Sequence, residues 1–196
     1  MLKLYHNPMT RSLRVLWLLE ELGLDYSLES VEFVPPVEGK LFAQKTPTGR
    51  FPTLEDGEIT IGESGAIIEY LIERYGEGRL APPIGSPSRA KYLQWMHFPE
   101  GTINPYVNAI RRFAPVTPAI VAAMREELDI AIAFVDDELT YNTYIVGDDF
   151  TGADIMLAVS LLSVNSLGLL VENYTNIAAY FSRLQSRPAL VKAMQS

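Results

Sequence analysis

A chain of 196 residues, 48% hydrophobic and 20% charged, is long enough for one ordinary domain or two small ones and has the composition of a packed globular protein. Its net charge of −8 disfavours a broad nucleic-acid or anionic-membrane surface, so we expect neither partner. The absence of cysteine excludes disulfides and a cysteine nucleophile, and the two histidines have no metal-ligand spacing, so we expect no metal and a thiol only from a ligand.

The first 75 residues alternate between strand and helix patterns. In chain order we expect strands at 2–6 and 26–34, helices at 11–22 and 63–75, a short helix at 40–45, and a hairpin of 51–54 with 59–61. The first helix stops at Gly23, and Asp56-Gly57 between apolar runs is a strong hairpin signal. The first two strands should be parallel, because a helix that long cannot be a hairpin link.

Glycine and proline crowd between Gly76 and Ser88, which indicates a linker, and no strong strand pattern follows it. Helix starts are indicated by proline after a capping residue and, at Thr151–Asp154, by a pattern that resembles a capping box. The uncharged stretch 155–171 fits a buried helix better than a membrane span, because it is marginal in length and contains polar residues. We therefore expect a domain at 1–78, a linker at 79–86 and an all-helical domain of about five helices at 87–196.

Two segments could hold an amino-acid-like ligand. Glu63-Ser64 starts a helix, where both residues also serve as plain caps; beyond capping, free N–H groups and Ser64 could hold a carboxylate while Glu63 pairs with an ammonium. Phe51-Pro52 begins the hairpin, and a proline there is ordinarily unremarkable. A cis bond before Pro52 would let the Phe51 backbone pair with an extended ligand.

The loop from Asn7 to Ser12 could stabilise an anion. As a plain loop it would only cap the first helix, but Thr10 and Ser12 offer hydroxyl donors and Arg11 offers a guanidinium. A thiolate bound at this helix N-terminus would have a lowered pKa.

These features occur together, in one order, within motifs that resemble the glutathione S-transferase family. The resemblance spans the chain and looks most like the cysteine-free bacterial and fungal members. The motifs are Lys3–Tyr5, Arg14–Glu21, Pro47–Leu54, Glu63–Leu71 and Gly147–Asp154.

The resemblance implies a fold of α/β plus all-α class, a thioredoxin-like N-terminal domain with a helical-bundle C-terminal domain. It implies that Pro52 is cis, that Phe51 binds the cysteinyl backbone of glutathione, and that Glu63 and Ser64 hold the γ-glutamyl end. Lys40 and Arg50 are assigned to the glycyl carboxylate from charge alone.

The family places its activating Ser, Tyr or Cys in the loop before the first helix. Thr10 falls on the frequent Ser position and Arg11 on the Cys position of one class, so Thr10 is the first choice, with Arg11 or Ser12 as alternatives. The electrophile pocket should lie between the domains, with Met9 and Tyr106 as its candidate residues.

The resemblance implies a cytoplasmic homodimeric transferase of detoxification type, which adds the glutathione thiolate to a small hydrophobic electrophile. One alternative enzyme is a glutathione-dependent peroxide or disulfide reductase. A rival from another class is a non-catalytic interaction module of the same fold, although a scaffold has no need of an intact Glu63, Ser64 and Phe51-Pro52.

Overall fold

The computed structural model describes residues 1–8, 10–35, 43–114, 117–170 and 174–196. Contacts between residues divide the chain into two compact units. The first unit contains Met1–Arg79 together with Gln185–Ser196, and the second contains Leu80–Leu184.

The first unit is built on a four-stranded sheet with the order β2-β1-β3-β4. Its strands are β1 (Leu2–His6), β2 (Tyr26–Ser30), β3 (Thr53–Asp56) and β4 (Ile59–Gly62). β1 is parallel to β2, as the intervening helix requires, and β3 is antiparallel to both β1 and β4. This arrangement confirms the thioredoxin-like prediction for the N-terminal domain.

Helix α1 (Ser12–Leu22) forms the core of the first unit. It contacts β1, helix α2 (Ser64–Tyr75) and the final helix α8 (Pro188–Ala193), so it is covered on several sides. The run from Val15 to Leu19 is therefore completely buried. The helix stops at Gly23, whose φ of 67° is left-handed and favours glycine.

The second unit is helical, as expected. Its elements are α3 (Pro87–Phe98), a π-helical segment (Pro99–Ile103), α4 (Asn104–Phe113), α5 (Pro118–Glu138), α6 (Gly152–Asn165) and α7 (Thr175–Gln185). Every residue of α6 from Gly152 to Leu161 is buried, which confirms the buried helix for the first part of the expected stretch 155–171, but α6 ends at Asn165 and residues 166–170 are not helical. No described helix is long and apolar enough to cross a membrane.

Helix α8 belongs by its contacts to the first unit, whereas the sequence boundaries put it with the helical domain 87–196. Its Leu190 and Ala193 are buried, and it packs on α1. A helical pattern shows that a helix has a buried face but not which neighbour covers that face, so the sequence alone does not place α8 beside α1.

Two elements of the first unit differ from the sequence prediction. β2 ends at Ser30 instead of continuing to 34, because its partner β1 ends at His6; Val31 N–H still donates to the His6 carbonyl at 2.9 Å. Of the short helix expected at 40–45, residues 40–42 lie outside the described residues, and 43–45 are not helical.

Candidate active site

The strand register brings three predicted segments to one end of the sheet. Tyr5 of β1 pairs with Thr53 of β3, and Thr53 also pairs with Gly62 of β4. The loop after β1, the Phe51-Pro52 dipeptide before β3 and the Glu63-Ser64 pair after β4 therefore leave the sheet at the same edge. The described residues 7–8 and 10–12 therefore form one candidate site with residues 51–52 and 63–64, although the three segments are far apart in sequence.

The loop after β1 is held by a compact network of hydroxyl hydrogen bonds. The Ser12 hydroxyl lies 2.9 Å from His6 Nδ1 and 2.7 Å from the Thr10 hydroxyl. The Thr10 hydroxyl is also 2.8 Å from the Asn7 carbonyl, and the Asn7 side chain donates to the Val31 carbonyl at 3.0 Å. This network holds Thr10 at the N-terminal end of α1.

Burial separates the three candidates for thiol activation. Ser12 is completely buried, whereas Thr10 and Arg11 are half-buried and can meet a ligand. Arg11 is the N-cap residue of α1 and caps it without a side-chain hydrogen bond. A ligand atom at the α1 N-terminus can therefore contact Thr10 but not Ser12.

His6 is a residue whose participation the sequence reasoning missed. It is only 2% exposed, and burial lowers the pKa of its imidazole, so it is neutral at pH 7. A signal was present in the sequence, because His6 shares the strand face of Leu2 and Leu4, which are both buried.

Arg14 is the second residue that the sequence reasoning missed as part of the site. It is completely buried on α1, and its Nη1 donates to the Ser64 hydroxyl at 2.9 Å. The signal was its position on the apolar face of α1, since its neighbours three and four residues on, Trp17 and Leu18, are buried. A fixed positive charge therefore lies directly beneath the start of α2.

Glu63 has a backbone conformation that non-glycine residues seldom adopt. Its φ is 65° and its ψ is 113°, it makes no side-chain capping bond to α2, and its side chain is exposed. Plain helix capping therefore does not account for this residue. Unfavourable backbone conformations of this kind concentrate at ligand sites, where the surrounding structure maintains them.

The segment before β3 is held by short polar contacts. The Phe51-Pro52 bond is cis, as the resemblance implied. The Arg50 carbonyl accepts hydrogen bonds from the hydroxyls of Thr46 and Thr53, both at 2.9 Å, and Thr53 also contacts Thr48 at 2.5 Å. The turn that precedes Phe51 thus has a fixed shape, and Pro52 is buried while the Arg50 side chain is exposed.

The other predicted site residues are Met9, Lys40 and Tyr106. Met9 and Lys40 lie outside the described residues. Tyr106 is half-buried on α4 and belongs to the second unit. Among the described residues, no group of three or more His, Asp or Glu side chains could hold a metal ion.

The first unit is thioredoxin-like and is followed by an all-helical unit. Polar groups gather at the edge of its sheet, beside a cis-proline. This combination is that of the two-domain class of glutathione S-transferase folds. Comparison with family models agrees: residues 1–73 match the glutathione S-transferase N-terminal domain, and residues 96–188 match the C-terminal domain. The chain belongs to the glutathione S-transferase family.

Similar proteins include both bacterial and fungal members. Glutathione S-transferase GstB of Escherichia coli K12 is 32% identical over 96% of this chain and 94% of its own length. Glutathione S-transferase 3 of Schizosaccharomyces pombe is 27% identical over 96% of this chain and 85% of its own length. A glutathione transferase from Phanerochaete chrysosporium, solved in complex with oxidized glutathione, is 25% identical over 99% of this chain and 94% of that chain, with a TM-score of 0.84.

Proposed function

We propose that this protein is a glutathione transferase, which binds glutathione at the sheet edge of the first unit and adds its thiolate to a hydrophobic electrophile. The observation that carries the proposal is the convergence of the loop 7–12, Phe51-Pro52 and Glu63-Ser64 at one end of the sheet. Relatives of bacterial and fungal origin bear the glutathione S-transferase name.

The γ-glutamyl end of glutathione fits the start of α2. Its α-carboxylate would accept hydrogen bonds from the free N–H groups of the helix and from the Ser64 hydroxyl, with the buried Arg14 guanidinium 2.9 Å behind that hydroxyl. Its ammonium would pair with the exposed Glu63 carboxylate. Free α-amino and α-carboxylate groups are both needed for this fit, which favours a γ-linked glutamyl group over an ordinary peptide.

The cysteinyl and glycyl parts would extend away from α2. The backbone of Phe51 is proposed to pair with the cysteinyl unit, and the exposed Arg50 to attract the glycyl carboxylate. Lys40 is proposed for the same carboxylate on its charge alone.

Thr10 is proposed to donate its hydroxyl proton to the sulfur at the N-terminus of α1. A cysteine-type thiol with a pKa of about 8.5 is only a few per cent ionised at pH 7. Lowering that pKa by about 2 units makes the thiolate the major form, and requires the site to stabilise the thiolate over the thiol by about 2.7 kcal/mol. The concentration of nucleophile then rises roughly 20- to 30-fold. Orientation of the bound electrophile has to supply the remaining acceleration.

In the reaction the thiolate sulfur forms a bond to an electrophilic carbon, and the leaving group departs with the bonding pair. With chlorodinitrobenzene the leaving group is chloride, and the thiol proton goes to solvent when glutathione ionises. Met9 and Tyr106 are proposed to contact the electrophile.

Titration calorimetry with glutathione at millimolar concentration tests the binding. If no heat of binding is measured, the proposal is wrong. If glutathione binds, a chlorodinitrobenzene assay should show conjugation. Ultraviolet titration of the bound thiolate should give a higher thiol pKa in Thr10→Val than in the wild type. An unchanged titration would move the role to Arg11, since Ser12 is buried.

A second activity is proposed as the alternative because the chain has no cysteine, while a relative was solved with oxidized glutathione. In that reaction one glutathione thiolate attacks a peroxide oxygen, which breaks the O–O bond, releases the alcohol and leaves a glutathione sulfenic acid. A second glutathione thiolate attacks the sulfenic sulfur, so the disulfide forms and hydroxide leaves as water. Two thiols, both from glutathione, are consumed for each peroxide reduced to an alcohol and water. A peroxide assay run beside the chlorodinitrobenzene assay separates the two activities.

We also propose that the protein is a homodimer of the cytoplasm with a detoxifying role, as the family resemblance implies. Light scattering after gel filtration tests the dimer. Binding of glutathione without either activity would instead support the non-catalytic module.

A further inference from the structure

The buried Ser12 hydroxyl lies at the centre of a chain of hydrogen-bonding groups that leads from His6 to Thr10. It is 2.9 Å from His6 Nδ1 on one side and 2.7 Å from the Thr10 hydroxyl on the other. It also accepts the Asn7 backbone N–H at 3.2 Å. Ser12 and His6 are 0% and 2% exposed, whereas Thr10 is half-buried, so the chain runs from the core to the ligand side.

The His6 and Ser12 pair is unsuited to the role of a base and a nucleophile. A serine that attacks a substrate must be accessible to it, and Ser12 is completely buried. The pair can only act through Thr10, because of the two hydroxyls in this hydrogen-bonded series only that of Thr10 reaches the surface.

The direction of this chain depends on which imidazole nitrogen carries the proton. A hydroxyl donates one hydrogen bond and accepts two. If His6 Nδ1 carries the hydrogen, Ser12 accepts from Nδ1 and from the Asn7 N–H, so it cannot also accept from Thr10, and its own proton goes to Thr10 or to the Asn7 carbonyl at 3.1 Å. Among the contacts of the described residues, the Thr10 proton then has the Asn7 carbonyl at 2.8 Å as its acceptor, and a bound ligand competes with that carbonyl alone. If Nδ1 is bare, Ser12 donates to His6 and can accept from Thr10, so a second inward acceptor competes with the ligand.

We propose that His6 is a positioning residue for the Thr10 hydroxyl, an inference that rests on the proposed binding of the glutathione thiolate at Thr10. With its hydrogen on Nδ1, His6 donates to Ser12, and Ser12 in turn leaves the Thr10 proton directed outward to the thiolate. A thiolate can only accept hydrogen bonds, so its binding favours the tautomer that frees the Thr10 proton. Burial also lowers the pKa of His6, so the ring is neutral at pH 7 and carries its single N–H proton on either Nδ1 or Nε2.

Nuclear magnetic resonance of the full chain labelled with ¹⁵N-histidine tests the tautomer directly. The chain has only two histidines, and the exposed His97 is assigned by loss of its signal in His97→Gln, which also serves as the control variant. In long-range ¹H–¹⁵N spectra of the glutathione complex, His6 should show a protonated Nδ1 and a bare Nε2. A bare Nδ1 in that complex would overturn the proposal.

Two substitutions of His6 test the consequence for the thiol. His6→Leu removes the donor, so the pKa of the bound glutathione thiol should rise by about one unit, which is roughly a tenfold loss of thiolate below that pKa. His6→Asn, whose amide can donate from nearly the position of Nδ1, should keep the wild-type thiol pKa. Equal thiol pKa values in the wild type and both variants would contradict the proposal.

A double variant separates positioning from a general structural effect. If His6 acts through Thr10, adding His6→Leu to Thr10→Val should not raise the thiol pKa any further, although each single change raises it. A merely structural His6 would lower the melting temperature and shift the thiol pKa by the same amount in both backgrounds. Equal shifts in the two backgrounds would therefore reject the relay.

The proposed function and the tautomer proposal fail in different ways. If calorimetry detects no glutathione binding to the wild type, the proposed function is wrong and the tautomer proposal falls with it. If glutathione binds with a lowered thiol pKa while His6 has a bare Nδ1, only the tautomer proposal is wrong. Both measurements on the wild type remain decisive even if His6→Leu fails to fold.

Discussion

At the scale of single residues, Arg14 has the most consequential position. A completely buried guanidinium loses its hydration, and hydrogen bonds must offset that loss, one of which goes to the Ser64 hydroxyl at 2.9 Å. Because Ser64 begins α2, this bond ties α1 to the helix that should receive the γ-glutamyl carboxylate. Its charge also adds to the positive end of the α2 dipole.

We expect Ser64→Ala to weaken glutathione binding and to reduce stability. The variant removes a donor to the ligand and an acceptor of Arg14, and a buried donor that loses its partner costs about 1–3 kcal/mol. The dissociation constant for glutathione in calorimetry should rise about tenfold, which corresponds to about 1.4 kcal/mol. Ser182→Ala is the matched control, because Ser182 is exposed and its hydroxyl donates a hydrogen bond to the backbone carbonyl of Ala178 in the same helix. Equal effects of the two substitutions would argue against the role of Ser64.

Asp56 is a second residue with a measurable consequence. The hydroxyl of Tyr75 at 2.5 Å is the main cause that holds the pKa of Asp56 below its ordinary value, with further help from Tyr70 at 2.8 Å and from the Arg74 guanidinium. A carboxyl group with a depressed folded pKa stabilises the fold above its unfolded pKa of about 3.9, and that stabilisation is lost as pH falls through the folded value.

Tyr75→Phe should therefore lower the melting temperature near pH 7, and the difference from the wild type should shrink below about pH 4, as pH falls from the unfolded pKa of Asp56 towards its lower folded pKa. Thermal unfolding followed by circular dichroism from neutral to acid pH measures this difference. Tyr141→Phe is the control, because Tyr141 is 85% exposed. A difference that stays constant down to acid pH would show that Tyr75 stabilises the fold by packing alone.

At the scale of elements, the start of α6 is fixed by one buried carboxylate. Asp154 accepts the backbone N–H and the hydroxyl of Thr151 at 2.8 and 3.0 Å. It also accepts the backbone N–H of Ile145 at 2.9 Å and the hydroxyl of Tyr180 at 2.9 Å. The carboxylate therefore joins the helix start to the preceding loop and to α7.

Asp154→Asn should destabilise the protein by about 3 kcal/mol, because the amide nitrogen would face donors and leave buried groups without an acceptor. Thr151→Ala should cost about 1 kcal/mol, as is typical for the loss of a helix cap. Urea unfolding gives both free energies. The control, Asp149→Asn, changes an exposed carboxylate five residues before Asp154 and should stay within about 0.5 kcal/mol of the wild type. If Asp154→Asn cost no more than that control, the carboxylate would not fix the helix start.

Elements were predictable where their causes are local in sequence. The capping box was visible because Thr151 and Asp154 are three residues apart, and it is confirmed. The hydrogen bond from the Tyr180 hydroxyl to Asp154 joins residues 26 apart in sequence, and no sequence pattern predicts it. The π-helical segment Pro99–Ile103 was missed for a similar reason, since its five residues look like an ordinary continuation between two helices.

At the scale of the whole molecule, the first unit is built from two separate parts of the sequence, Met1–Arg79 and Gln185–Ser196. The second unit is inserted between Arg79 and Gln185, after which α8 returns to α1. Arg187 donates through Nε and Nη2 to both carboxylate oxygens of Glu21, at 2.7 and 2.8 Å, and Trp17 donates to the same carboxylate at 2.8 Å. Lys192 pairs with Glu20 at 2.7 Å.

The site divides in the same way into a predictable part and an unpredictable part. The three segments were found because each has a signal that is local in sequence: an acid and a hydroxyl at a helix start, a proline at the start of a hairpin, and hydroxyl groups before the first helix. The order of the strands, which brings them to one edge, came from the structure. The roles of Arg14, of His6 and of α8 required tertiary contacts: Arg14 donates to Ser64, 50 residues away, His6 contacts Ser12 across the loop after β1, and α8 packs on α1. The thioredoxin-like fold was therefore predictable from the sequence, whereas the packing of α8 on α1 was not.

Because α1 carries residues 12–14 of the site, its support by α8 should matter for ligand binding. Removal of residues 186–196 deletes the ion pairs to Glu20 and Glu21 and the buried Leu190, whose side chain alone contributes about 1.5–3 kcal/mol. We expect a lower melting temperature and weaker glutathione binding, although Thr10 and Arg14 are unchanged. Circular dichroism and calorimetry measure the two effects.

Two controls separate the roles of the ion pairs and of the buried surface. Removal of only Gln195-Ser196, which are exposed and follow α8, should change neither property. Arg187→Ala should reproduce part of the loss, at about 1–2 kcal/mol for a charged, partly buried hydrogen-bonded pair. Lys192→Ala should cost little, because 70% of the Lys192 side chain is exposed. If the long truncation lowered the melting temperature but left glutathione affinity intact, α8 would stabilise α1 without tuning the site at its N-terminus.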